Sequence, residues 1–191
     1  MVLVLTGVAV VMGCVLAWVN HVTEGPISEQ KQQALEKGIK TVMQAEELSI
    51  SSTDTIRTTD GKGKEQVYIV YNNEKGAAVE SATMGFGGEL KVLVGFDTDG
   101  NILGYTLLEH QETPGLGAKA DQWFQKGQKG DIIGRNPSEP LTVTKDGGQV
   151  DAITASTITS RAFLQAVNNA YSAFKGKPAD AQTGATAGHQ K

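Results

Sequence analysis

A single cysteine, Cys14, in 191 residues leaves the chain no partner for an internal disulfide. It also excludes cysteine zinc sites and iron–sulfur clusters built within this chain. Histidine is scarce as well. His21, His110 and His189 lie far apart without metal-ligand spacing, so no metal site is expected. The net charge is −4 and there is no long basic run, which gives nucleic acid little electrostatic footing. No lysine or arginine precedes Lys31, and no internal repeat stands out.

What the first residues do contain is apolar. Val2–Val19, VLVLTGVAVVMGCVLAWV, carries no charge. As a helix it spans about 27 Å, close to the ~30 Å hydrocarbon core of a bilayer. Trp18 near its far end suits the interface. A transmembrane anchor over residues 1–24 is the expectation. Two rivals stay open. A cleaved signal peptide normally has a basic leading segment and a shorter apolar stretch. Val11-Met12-Gly13-Cys14 also resembles a weak lipoprotein cleavage box. The run starts directly after Met1, from which a few preceding basic residues are expected.

The rest reads as a globular domain over residues 25–176, with 39% hydrophobic and 20% charged residues in the whole chain. Gly25-Pro26 predicts a helix break, and Ser28 a cap for a second helix over Glu29–Gln44. Ser49–Lys64 reads as turn-rich with room for a short strand. Gln66–Tyr71, Ala77–Met84, Glu89–Phe96 and Ile102–Glu109 read as strands. The last two flank Asp97-Thr98-Asp99-Gly100-Asn101, a hairpin signal. Ala118–Gln125 predicts a short helix, Leu141–Thr144 a strand, and Ile158–Phe174 an amphipathic helix. Residues 177–191 are small and polar, which predicts a disordered tail. The fold class expected is α+β: a mainly antiparallel sheet with flanking helices, preceded by one transmembrane helix.

Two motifs carry chemistry. Asp151–Ser160, DAITASTITS, places Thr154, Ser156, Thr157 and Thr159 ahead of Ser160 at the start of the last helix. Free N–H groups and the helix dipole converge on an anion at that point. Alone, such a run is ordinary helix capping. The second motif is HQETPGLG, His110–Gly117. Pro114 restricts the backbone and the glycines permit close approach. Leu116 can lie against a flat apolar ring. Alone, it is an ordinary turn. Gly85-Phe86-Gly87-Gly88 is a further glycine-rich loop. Trp123 can stack near the site or pack in the core, and His110 is given no catalytic role.

Together the two motifs resemble the FMN-binding domain family, whose flavin is joined to a threonine through its phosphate. Asp151, Thr154, Thr157, Thr159 and Ser160 match the family's acceptor pattern. Ala155 stands where glycine is usual and Ser156 where alanine is usual. The resemblance implies covalent FMN on Thr157. It implies flavin contacts from Thr154, Ser156, Ile158 and Thr159, and from Glu112, Thr113, Gly115, Leu116 and Gly117. It implies a separate flavin transferase that uses FAD and magnesium and releases AMP. Thr183-Gly184-Ala185-Thr186 matches the core letters too, but no amphipathic helix follows, so Thr186 is the weaker candidate.

Within the family, size and the HQETPGLG form are most similar to the G subunit of Rnf-type complexes. That likeness implies an electron-transfer subunit of a membrane complex working between ferredoxin and NAD, coupled to sodium or proton export. Its partners would be the other membrane and peripheral subunits, the transferase during maturation, and membrane lipid. The soluble domain would face the periplasmic side of the inner membrane. No residue would be a turnover catalyst, and the chain would not be catalytically complete alone. Two alternatives remain: the C subunit of sodium-translocating NADH:quinone reductase, and a membrane-anchored flavin-binding or sensory module without redox turnover.

Overall fold

The computed structural model describes residues 1–45, 47, 50–59 and 65–176. The expected tail, with its Thr186 motif, lies outside the described residues. Met1–Glu36 forms one compact unit and the chain from Lys37 onward a second.

The first helix, α1, runs Val2–Val42. Among the described residues it is the one helix apolar and long enough to cross a membrane, with a window of mean hydropathy 2.6. The predicted break at Gly25-Pro26 does not occur, because Pro26 lies inside the helix. Proline withholds one donor and crowds the carbonyl four residues back. Two hydroxyls, one on either side of it, donate to helix carbonyls. Thr23 Oγ1 donates to the Val19 carbonyl at 2.8 Å. Ser28 Oγ, expected as a cap, donates to the Gly25 carbonyl at 2.7 Å instead.

In the second unit five strands form an antiparallel meander in chain order. They are β1 (Ser52–Thr59), β2 (Glu65–Asn73), β3 (Gly76–Met84), β4 (Glu89–Asp97) and β5 (Ile102–His110). β1 arises in the stretch read as turn-rich. Its Thr and Ile content favours extended backbone, and its polar, mostly exposed side chains suit an edge. The β4–β5 turn is organised by Asp97, whose Oδ1 accepts from the N–H groups of Asp99 and Asn101 at 3.0 and 2.8 Å. Burial pushes the Asp97 carboxyl up, but the hydrogen bonds from Asn101, Gly100 and Asp99 outweigh it and leave it below its ordinary value.

A short helix α2 (Ala120–Trp123) follows a 3-10 turn at Gly117–Lys119, and α3 (Thr157–Phe174) closes the fold. Ala162, Ala166, Ala170 and Ala173 on α3 are buried in one core with Tyr68, Val70, Val79, Val92, Val94 and Phe96. Small residues at these spacings let the helix sit close to the sheet. Phe163 adds rings on both sides, 4.3 Å from Phe124 and 4.8 Å from Tyr105.

The expected strand at Leu141–Thr144 is a correction. Val143 makes one isolated bridge to Val150, and Thr144–Asp146 is a 3-10 turn. A side chain occupies the backbone groups that a neighbouring strand would need. Asn168 accepts from Leu141 N–H and donates to its carbonyl, both at 2.9 Å.

The other sheet face receives the end of α1. Gln44, with φ +50°, ends the helix in a Schellman arrangement: Ala45 N–H bonds the Lys40 carbonyl at 3.0 Å and Gln44 N–H the Thr41 carbonyl at 3.3 Å. Gln44 Nε2 also donates to the Leu103 carbonyl at 2.8 Å. Val42 is fully buried there, and Gly95 and Gly104 make room for it. A Cβ on Gly95 would lie 2.3 Å from the Val42 carbonyl oxygen. Gly95→Ala is therefore expected to destabilise the domain by about 1–3 kcal/mol, read by denaturant titration of the full chain in detergent. Unchanged stability would show that the helix end does not press on the sheet.

Candidate functional site

The two sequence motifs meet around one side chain, Glu112, which lies just beyond β5 and is 5% exposed. Its Oε1 accepts from Phe86 N–H at 2.8 Å and from Gly87 N–H at 3.3 Å. Its Oε2 accepts from Thr159 Oγ1 at 2.7 Å. One carboxylate thus joins the β3–β4 loop, the ETPGLG loop and the first turn of α3. A buried carboxylate needs this many donors to offset its lost hydration. The glycines are explained by the same group. A Cβ on Gly85 would lie 2.0 Å from Glu112 Oε1, and one on Gly117 would lie 2.4 Å from Oε2 and 2.8 Å from Thr159 Oγ1.

The ETPGLG loop closes on itself through the Thr113 carbonyl, which accepts from Leu116 N–H at 3.1 Å and Ala118 N–H at 3.3 Å. Gly115 has φ +77°, which glycine adopts freely. Thr113 is exposed. Leu116 is 42% exposed, and so is Met84; Phe86 is 69% exposed and Ile158 36%. Phe86, Leu116 and Ile158 thus stand exposed on the three segments that Glu112 joins, with Met84 at the end of β3 near Phe86 in sequence.

In the hydroxyl motif, Ile153–Ser156 form a turn closed by Ser156 N–H to the Ile153 carbonyl at 3.0 Å. Thr154 is exposed within it. Ala155 has φ +61°, the left-handed region that costs an L-residue about 1–2 kcal/mol. The position where glycine is usual is thus one whose backbone favours glycine. Ser156 is the N-cap residue but makes no side-chain cap bond, so the hydroxyl does not compete for the first-turn N–H groups. Ser160 is buried and structural: its Oγ accepts from Ile153 N–H and donates to the Ser156 carbonyl, both at 2.9 Å.

Thr157 opens α3 and is half-buried. Its Oγ1 accepts from Lys145 Nζ at 3.1 Å. One turn further along the helix, Arg161 grips Asp146 with two bonds, Nε–Oδ2 at 2.7 Å and Nη2–Oδ1 at 2.6 Å. The hydrogen bond from Arg161, reinforced by its charge and that of Lys145, holds the Asp146 carboxyl below its ordinary value despite partial burial. The same bond raises Arg161. Sequence reasoning misses Lys145, Asp146 and Arg161. Lys145 and Asp146 sit in a loop twelve residues or so before the threonine, and only the 3-10 turn brings them over it.

The structure therefore gathers Glu112, Gly117 and Thr159 into one buried frame. Thr154 and Thr113 are exposed, while Leu116 and Ile158 add to the displayed apolar surface and Thr157 lies at the helix start. Trp123 is partly buried against the core and donates from Nε1 to the Asp151 carbonyl at 2.8 Å, which ties α2 to the motif. His110 Nδ1 accepts weakly from Glu112 N–H at 3.4 Å. A cavity of about 310 Å³ lies elsewhere, between Pro137–Val143 and α3, with Asp146 and Arg161 in its lining. Neither glycine-rich loop lines it.

The FMN-binding domain family matches residues 85–172, which begins at the first glycine-rich loop and ends within α3. The chain is 33% identical to the G subunit of an ion-translocating oxidoreductase complex from Aliivibrio fischeri, over 84% of this chain and 82% of that protein. It is 35% identical to the G subunit of the Na(+)-translocating ferredoxin:NAD(+) oxidoreductase complex of Acetobacterium woodii, over 87% and 86%. It is 36% identical to the G subunit of an ion-translocating oxidoreductase complex from Vibrio parahaemolyticus, over 81% and 78%.

Ala155→Gly is expected to stabilise the domain by about 0.5–1 kcal/mol, the relief of the left-handed backbone less the extra freedom glycine gives the unfolded chain. Thermal melts of the two proteins decide. A loss of stability would mean that the alanine methyl makes a contact worth more than the backbone cost.

Proposed function

The chain belongs to the FMN-binding domain family and is of the G-subunit type, and from that premise we propose that it is the flavin-carrying electron-transfer subunit of a membrane ion-translocating ferredoxin:NAD oxidoreductase complex. Its FMN is joined through the phosphate to Thr157. The observation that carries this reading is the pairing of an uncapped helix start, bearing an accessible threonine hydroxyl beside a lysine, with a displayed apolar surface on loops locked by Glu112. The first feature suits a phosphate and the second a flat aromatic ring system.

The residues present fit that group. First-turn N–H groups of α3 and Lys145 face an anion on Thr157. Leu116, Phe86, Met84 and Ile158 offer contact area for a ring, and the Thr113–Gly117 backbone supplies polar edges. When bound, FMN supplies the capacity to accept and donate electrons. The protein's part is to tether it, fix its orientation and keep the frame rigid. Thr157 is a tether and takes no part in turnover. Glu112 and Thr159 act by holding the loops against the helix start.

Ferredoxin and NAD would be handled by partner subunits, and the coupled export of sodium or protons would run through them. The flavin transferase is a partner during maturation only. Lipid would surround the anchor formed by the apolar run Val2–Val19, with the domain on the periplasmic side of the inner membrane. In this reading residues 25–176 are the flavin domain.

Thr157→Ala is expected to abolish flavin fluorescence in the denatured gel band of protein made in its own host. The domain should remain folded, because the hydroxyl's bond is an exposed contact with Lys145, worth about 1 kcal/mol. Flavin mapped to Thr186, or to no threonine, would overturn the attachment. The orientation has its own check. Protease added to intact spheroplasts should digest the domain and leave a small anchor fragment; protection until lysis would reverse the topology.

A further inference from the structure

We propose that Lys145 is the counterion of the phosphate ester on Thr157, a positioning residue that fixes the tether; this rests on the attachment reading above.

Three observations carry it. The first is the contact itself, Lys145 Nζ to Thr157 Oγ1 at 3.1 Å. An exposed ammonium bonded to an uncharged hydroxyl gains one charge-assisted bond but leaves its charge unneutralised, while ordering the long side chain costs entropy. An anion at the same place repays it.

The second is how the lysine is carried. Its backbone belongs to the 3-10 turn Thr144–Asp146. That turn is closed by Asp146 N–H to the Val143 carbonyl at 2.9 Å and Gly148 N–H to the same carbonyl at 3.0 Å. Gly147, with φ +84°, lets the chain reverse. Thr144 N–H to the Val150 carbonyl at 2.9 Å ties it to the segment leading into the motif. The Arg161–Asp146 fork then fastens the turn to α3.

The third is charge. Arg161 lies four residues after Thr157, on the same helix face, and would be the obvious phosphate ligand. It is already committed to Asp146 through two short bonds. Two cations and one anion leave a single positive charge beside Thr157, and a phosphodiester carries a single negative one. The Arg161–Asp146 pair is thus a clamp for the turn, and Lys145 is the group that meets the phosphate.

The test uses full-length protein from its own host, as wild type and as Thr157→Val. Both are exposed briefly to a limiting acetylating reagent, and acetylation of Lys145 is measured by peptide mass spectrometry against Lys119 and Lys126. With flavin on Thr157, Lys145 should be labelled about fivefold more slowly than in Thr157→Val, the scale of an exposed charge pair. Raising the salt to about 1 M should erase most of that difference. The phosphorus resonance of the attached ester should stay near its wild-type position in Lys145→Arg and move in Lys145→Met. Equal labelling in protein shown by mass to carry flavin on Thr157 would overturn the role of Lys145 alone. Absence of flavin on Thr157 in the same spectra would overturn the attachment and the lysine's role together.

Discussion

The site hangs on one buried carboxylate. Both oxygens of Glu112 are engaged, one by two backbone N–H groups of the first glycine-rich loop and one by the Thr159 hydroxyl. Such a group is costly to bury and costlier to leave half-satisfied. It therefore enforces an arrangement: the β3–β4 loop, the loop after β5 and the first turn of α3 must come together, or the carboxylate loses its donors. Gly85 and Gly117 are the steric side of that requirement. The apolar residues around it, Phe86 and Leu116 above all, are displayed because the polar frame beneath them is already complete.

Much of the domain is legible in the sequence, for reasons tied to particular residues. Alternation and β-branched content identify β2 to β5, and Asp97-Thr98-Asp99-Gly100-Asn101 marks the reversal between β4 and β5. Spaced alanines and Phe163 identify α3. The hydroxyl motif falls at the start of that helix. What is not legible depends on contacts between distant segments. Pro26 signals a break in any sequence reading, yet the helix runs through it. Leu141–Thr144 has strand-like residues, but Asn168, some twenty-seven positions on, takes its backbone groups. β1 shows in the sequence only as room for a short strand, because polar residues that suit an edge fill it.

The same distinction divides the site. The family resemblance implies flavin contacts from Glu112 and Thr159, and the structure shows that their polar atoms bond each other. Sequence gives residue type and spacing but not direction, and a carboxylate in a glycine-rich loop can point either way. Lys145 has no signal of its own, since a Lys-Asp-Gly-Gly turn occurs in countless surface loops. Ala155 is the reverse case. Its departure from the usual glycine is visible in the sequence, and its left-handed backbone gives that departure a physical meaning.

The seating of Val42 against Gly95 and Gly104 bears on how the domain can be handled in isolation. Gly38, Ile39, Val42 and Met43 are buried, and a side chain on Gly38 would touch Leu93 and Thr106. A fragment cut after this turn, at the first polar residues that look like a natural linker, would strip the covering from that face of the sheet. The bared strip of Leu93, Gly95 and Gly104 would be apolar and newly exposed to water, which is a surface prone to aggregation. Soluble preparations should therefore begin upstream of Lys37 and keep the end of the helix as part of the domain's covering.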